Sequence, residues 1–243
     1  MPQLKLSGRL SAIAGLIPPE GGVADIGTDH GYIPVWLRLN GYTDHILATD
    51  INPQPLGNAI ETAIEYGVED KISFLMCDGL KGVCNKHLGC VVIAGMGGEN
   101  IAEILSQAHW TAENGCLLIL QPMTRADRLR SWLFNNGYVV TGETLVQDDR
   151  LYEIITARGG RDALYTPGQL YTGRLSLIKG NPLFPQKLEG LIAKQKNAIR
   201  GLSRSAGEGD SLRLEQVRGL LAEFEAMGAD AVETEEEKRH ADG

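Results

Sequence analysis

Acids and glycines alternate in VADIGTDHGYIPVWL: Asp25, Gly27, Asp29 and Gly31 take every second position, with His30 between the last two. An apolar run precedes them and a helix-like pattern follows. Glycines between a strand and a helix usually let backbone approach a nucleotide closely. A P-loop requires GxxxxGK[ST], and a dinucleotide fold wants GxGxxG beside a pyrophosphate. The chain has neither, and the Asp29 carboxylate would repel a pyrophosphate. A cationic ligand suits these acids better. S-adenosyl-L-methionine carries no phosphate and has a positively charged sulfur. Methyltransferases built on this kind of sheet commonly show [DE]xGxGxG after the first strand. Here the frame is Asp25-x-Gly27-x-Asp29-x-Gly31, with the middle glycine replaced.

Further acids fall where such a ligand needs them. ATD places Asp50 at the end of the second apolar run, where a carboxylate can accept from both ribose hydroxyls. The same geometry serves an NAD ribose, so Asp50 alone does not discriminate. CDG follows the third run and places Asp78 for the adenine amino group, with Gly79 and Leu80 against the ring. AGMGG follows the fourth, where glycines permit close approach to ligand and substrate. Any one of these aspartates is more commonly a cap or turn residue. Acids at three successive strand ends, two of them with glycine, form a joint signal for S-adenosyl-L-methionine.

These positions need strands and helices to hold them. VADI, HILATD, KISFLM, GCVVIAG and GCLLILQP are short buried strands by pattern, and YIPVWLRLN, PLGNAIETAIEYG, ENIAEILSQA and RADRLRSWLFNNG have the helical period. LSGRLSAIAGLI opens as an amphipathic helix that Pro18 and Pro19 must end. The alternation implies an α/β fold with a doubly wound parallel sheet. GYVVTGETLVQ and RLYEIITAR, with no helix between them, add an antiparallel edge. TPGQLYTGRLSLIKGNPLFPQ, rich in Gly and Pro, reads as a linker. Leu188, Leu191, Ile192, Ile199 and Leu202 then make one helical stripe, and Leu214, Val217, Leu221 and Phe224 a second. GEGDS separates them, with Asp210 or Ser211 as an N-cap. The expected organisation is a methyltransferase domain over 1–160, a linker over 161–186, a helical hairpin over 187–228 and a disordered acidic tail over 229–243.

Composition bounds the function. A chain of 243 residues, 43% hydrophobic, can bury one sizeable core and a smaller appendage. No apolar run approaches the roughly 20 residues of a membrane span, and MPQLKLSGRL lacks the layout of a secretory signal. A cytoplasmic protein without a membrane partner is expected. Cys77, Cys84, Cys90 and Cys116 show no CxxC spacing and no nearby histidine pair, so reduced thiols and no metal are expected. Net charge is −8, but residues 223–243 hold eight acids against two bases, leaving −2 over the rest. Between Lys179 and Arg218 there are eight bases and four acids, a surface compatible with phosphate contact. On charge alone, a solvated helix face is the commoner explanation.

The chain resembles the TrmK family of bacterial tRNA adenine-N1 methyltransferases, which act at adenine 22 of the D-arm. The resemblance rests on RLSAIAGLIP, VADIGTDHGYIPVWL, ATDINPQPLGNA, YGVEDKISFLMCDGL, VVIAGMGGENIAEIL and LILQPM, and extends through RSWLFNNGY, LYEII and the helical hairpin. One departure is Met123, where the family pattern leads one to expect asparagine after LILQP. The resemblance implies a class I, Rossmann-like methyltransferase sheet with a C-terminal α-helical coiled-coil-like hairpin that helps hold tRNA. It implies that Gly27, Asp50, Ile51, Asp78, Gly79 and Gly95 line the cofactor, with Arg9 a further pocket candidate.

Adenine N1 carries an in-plane lone pair and no proton, so it can attack a sulfonium methyl directly without a strong base. Positive charge develops on the ring as the methyl arrives, and a carboxylate near N1 and N6 would stabilise it. Asp29 is the expected catalytic group, with His30 orienting it or contacting a phosphate. N1 lies on the pairing edge, so the base must leave its stack; Tyr32, Met96 and Met123 are stacking candidates. Two other readings stand beside this one: a small-molecule methyltransferase on the same sheet, and an RNA-binding protein that retains the cofactor fold without catalysis. Sequence leaves the oligomeric state open.

Overall fold

The computed structural model describes residues 4–42, 44–83, 87–204 and 208–241, with side chains described up to 204 and over 211–230. Two compact units divide it, Met1–Leu164 and Tyr165–Gly243. In the first, α1 (Gly8–Leu16) starts at Ser7, whose Oγ accepts from the Leu10 N–H at 3.4 Å, and stops just before the two prolines. Strand–helix alternation follows through β1 (Gly22–Ile26), α2 (Tyr32–Leu39), β2 (Ile46–Asp50), α3 (Pro53–Glu65), β3 (Ser73–Met76), β4 (Leu88–Gly97), α4 (Gly98–Ser106), a short α5 (Trp110–Glu113), β5 (Leu117–Thr124) and α6 (Ala126–Asn135). The hairpin of β6 (Tyr138–Gln147) and β7 (Leu151–Gly159) closes the unit.

The sheet order is β3-β2-β1-β4-β5-β7-β6. The pairs among the first five strands are parallel; β7 runs antiparallel to both β5 and β6. All five residues of β1 and of β2 are buried, which is why these strands are continuous apolar runs with acids only near their ends. Ile13, Val23, Val35, Ile46, Val92 and Ile119 form the centre of the core. The chain turns to opposite sides of the sheet after β1, and crevices at such a reversal, outside the carboxyl ends of the strands, are where open α/β sheets bind ligands.

An ionic cluster pins the antiparallel edge. Fully buried Arg130 of α6 donates from Nε to Glu143 of β6 and from Nη2 to Glu153 of β7, both at 2.6 Å. Burial alone would lower the arginine pKa; the two carboxylates outweigh it and hold the guanidinium charged.

The second unit contains α7 (Pro167–Thr172), α8 (Leu175–Ile178), α9 (Phe184–Leu202) and α10 (Glu208–Ala241). A helical hairpin is present, but its surroundings depart from the sequence reading. The segment 161–186 is no linker, because α7 packs on the hairpin: the Gly168 N–H donates to Glu223 at 2.8 Å, and Tyr171 meets the buried Phe224 edge-on at 6.2 Å. Thr166 and Gln169 form a capping box that starts α7, a signal hidden inside the Gly/Pro-rich stretch. Lys187, counted above among the surface bases, is buried and donates to the Thr172 carbonyl at 2.8 Å. Asp210 and Ser211 lie within α10 and not at its cap. The backbone of α10 runs to Ala241, so the expected disordered tail is helical over 229–241; its alanines, glutamates, lysine and arginine are strong helix formers.

Candidate methyl-donor and catalytic site

Two adjoining cavities lie at the carboxyl ends of the parallel strands. The first, about 310 Å³, is lined by Asp50 and Ile51 after β2, Cys77, Asp78 and Gly79 after β3, and one face of α4. The second, about 410 Å³, is lined by Arg9, Asp25, Thr28, Asp29, His30, Tyr32, Gly95 and Met123 among others. Gly27, Asp50 and Met96 border both.

The loop after β1 is shaped by its backbone. The N–H groups of Gly27 and Thr28 both donate to the Thr49 carbonyl at 2.8 Å, fixing the turn beside β2. Gly27 has φ +71°, and a Cβ there would fall 2.1 Å from the Met96 methyl, so a side chain could enter only by displacing Met96. Asp29 adopts φ +50°, a left-handed conformation that Asp tolerates better than most residues at a cost on the order of 1 kcal/mol. Its exposed carboxylate lies 3.7 Å from His30 Nε2, and the His30 ring stacks on Tyr32 at 5.3 Å with 14° between planes. Asp50 is largely buried; its Oδ1 accepts from the Asn52 N–H at 2.8 Å. Asp78 is tied to Lys81 across one turn.

Most of the expected residues meet here, and two do not. Asp25, Gly27, Asp29, His30, Asp50, Ile51, Asp78, Gly79 and Gly95 line one cavity or the other. Gly31 has a packing role: a Cβ there would sit 2.9 Å from the Ala59 side chain and 3.1 Å from its backbone, so glycine lets α2 approach α3. Leu80, 3% exposed, belongs to the core. The second double glycine also divides. Gly95 needs its φ of +80°, whereas a Cβ on Gly98 would strike the Arg125 carbonyl at 2.4 Å. Sequence reasoning missed Asn100, Glu103 and Ile104 of α4 and Gln107 at its C-cap, which line the first cavity. Their i, i+3, i+4, i+7 spacing was the available signal, since Ile101, Ala102 and Leu105 bury the opposite face. Gln121 was missed as well.

The residues fit S-adenosyl-L-methionine by their donor set. Three carboxylates, Asp25, Asp29 and Asp50, surround one cavity that holds one guanidinium, Arg9. Such a set favours a ligand with a cationic centre over a phosphate. Glycine at Gly27 keeps a side chain out of the junction between the two cavities.

Residues 6–155 match the family model described as a methyltransferase domain. The tRNA (adenine(22)-N(1))-methyltransferase of Bacillus subtilis (strain 168) is 34% identical over 201 residues, 82% of this chain and 79% of its own length. The chain belongs to the TrmK family. The crystal structure of the B. subtilis M1A22 tRNA methyltransferase TrmK superposes with a TM-score of 0.83 at 28% identity, covering 93% of this chain and 99% of that one. TrmK of M. capricolum, in complex with S-adenosyl-homocysteine, superposes at 0.75 and 26% identity, covering 89% and 98%. In this TrmK-family chain, among the described residues, no His, Cys, Asp and Glu group could hold a metal ion, and no helix is long and apolar enough to cross a membrane. Cys77, Cys90 and Cys116 are free thiols; Cys84 lies outside the described residues.

Asp25 gives the site a pH signature. Burial pushes its carboxyl up to about 6; the Thr28 hydroxyl, donating to Oδ2 at 2.6 Å, pulls it back, and Asp50 adds to the rise. The folded chain therefore holds this proton more tightly than the unfolded chain. Stability falls as pH rises from about 4 to about 6, and above that window the ionised group costs on the order of 3 kcal/mol. Asp25→Asn should thus raise the melting temperature of the ligand-free protein at pH 8 and change it little at pH 4. Equal gains at both pH values would show that the carboxylate's charge is not the cause.

Proposed function

We propose that this chain transfers a methyl group from S-adenosyl-L-methionine to N1 of adenine 22 in the D-arm of tRNA. Membership in the TrmK family carries the reading, and the paired cavities at the sheet reversal supply its chemistry. When bound, the donor supplies an electrophilic methyl on a cationic sulfur. Asp50 and Asp78 hold the ribose and adenine, with Ile51 and Gly79 against the ring. Asp25 adds fixed negative charge on the cationic side. Asp29 accepts from the target N6 amino group and stabilises the charge that develops on the ring, with His30 bracing it and Tyr32 offering a stacking face. A tRNA substrate supports a cytoplasmic location.

Incubation with donor and unmodified tRNA, followed by nucleoside digestion, should yield 1-methyladenosine, and primer extension should stop beside position 22. Methylation of a small molecule alone would overturn the assignment. The basic face of the second unit supports tRNA contact: Lys194, Arg200, Arg204, Arg213 and Arg218 are exposed, whereas Lys196 pairs with Glu225 at 2.9 Å. Reversing Arg200 and Arg204 to glutamate should weaken tRNA binding and reduce its salt slope by about two, leaving S-adenosylhomocysteine affinity unchanged. An unaltered slope in filter binding would remove this face from the interface.

A further inference from the structure

Arg9 stands among three acids without collapsing onto them. It lines the second cavity with Asp25, Asp29 and Asp50, and its attachments point elsewhere. Its Nη1 donates to Gln121 Oε1 at 2.8 Å, its guanidinium lies over the Tyr152 ring at 5.4 Å, and its backbone N–H donates to Asp148 at 3.0 Å. Those hydrogen bonds to the Arg9 and Ser7 region hold the Asp148 carboxyl below the ordinary range.

Gln121 is fully buried within β5, three residues before its end. The register between β4 and β5 slips here: Ala94 pairs with Gln121 and Met96 with Pro122, so Gly95 is bulged out of the ladder. The bulge takes the Gly95 N–H out of the ladder, and the Gln121 side chain accepts it at 3.2 Å with the oxygen that also holds Arg9. Its amide nitrogen donates to the Pro122 carbonyl at 3.0 Å, which fixes the orientation of the group. One oxygen thus joins the opening helix to the glycine turn across the cavity.

We propose that Gln121 is a positioning residue: it holds the Arg9 guanidinium away from the acids, where it meets the carboxylate of the donor's amino-acid part. Free of that tether, Arg9 would neutralise an acid of the pocket, and the site would lose an anion subsite together with a cation subsite. The assignment rests on the cofactor reading above.

Calorimetry with two ligands tests it. S-adenosylhomocysteine carries the amino-acid part; 5′-methylthioadenosine has the same adenosine and a thioether but lacks that part. Gln121→Met should weaken S-adenosylhomocysteine about tenfold or more, the scale of one lost hydrogen bond to a charged group, and leave methylthioadenosine within about twofold. In an Arg9→Ala background, Gln121→Met should have no further effect on S-adenosylhomocysteine. Gln121→Asn, with the amide kept and its reach shortened, serves the same test if methionine perturbs folding. Equal weakening of both ligands, or losses that multiply in the double variant, would overturn the positioning role. A parent protein that binds neither ligand would instead overturn the cofactor reading.

Discussion

Asp29→Ala should lower methyl transfer to tRNA by about 10²–10³-fold at saturating substrates, while S-adenosylhomocysteine binding stays within about threefold. The site's geometry separates the two effects. Asp29 is exposed where it lines the second cavity, whereas Asp25 and Asp50, which line the same cavity, are buried. Charge develops on the target ring only during transfer, so a carboxylate facing that ring acts on rate more than on affinity. Alanine also fits φ +50° poorly, which confuses loss of charge with loss of loop shape. Asp29→Asn resolves this, because asparagine tolerates that conformation and removes only the charge. It should lose most of the same rate in single-turnover assays. Full activity in either variant would take Asp29 out of the mechanism.

Arg130→Ala should destabilise the larger unit by about 3–5 kcal/mol, the cost of leaving buried carboxylates without their cation. For a chain of this size that is a fall in melting temperature on the order of 10 °C. The guanidinium bridges α6 to both strands of the edge hairpin, and its side chain and that of Glu143 are each 1% exposed, so water cannot replace it. Burying an ion triad is itself costly. Replacing all three members with apolar residues, Arg130→Met with Glu143→Leu and Glu153→Leu, should recover most of the loss. Thermal melts of the single and triple variants decide the matter: a single variant as stable as the parent would mean that the cluster contributes little.

Much of the fold is legible in the chain because its signals are local. Alternating strand and helix periods mark the elements of the first unit, and the acids of VADI, ILATD and FLMCDG fall where a doubly wound sheet opens its crevice. The linker misreading has a local cause too. Gly and Pro between 167 and 185 suggest a loop, but Pro167 and Pro185 occupy first-turn positions of α7 and α9, where a missing N–H costs nothing. The tail misreading came from weighting charge over helix propensity in ADAVETEEEKRHA.

Sequence by itself determined the donor class through a joint signal: acids at three successive strand ends, with one more among the glycines of DIGTDHG, suit a sulfonium and disfavour a pyrophosphate. It also determined the residue types at the three strand ends. Only the tertiary structure decided which glycines border the cavities. Gly27 and Gly31 look alike in the motif, yet one borders both cavities and the other packs on Ala59. Only the structure, likewise, brought Arg9 to Gln121, 112 positions away. A strand end announces itself through neighbouring residues, whereas a bulge between β4 and β5 exists only once two distant segments pair, and the tether that fills it has no local signature.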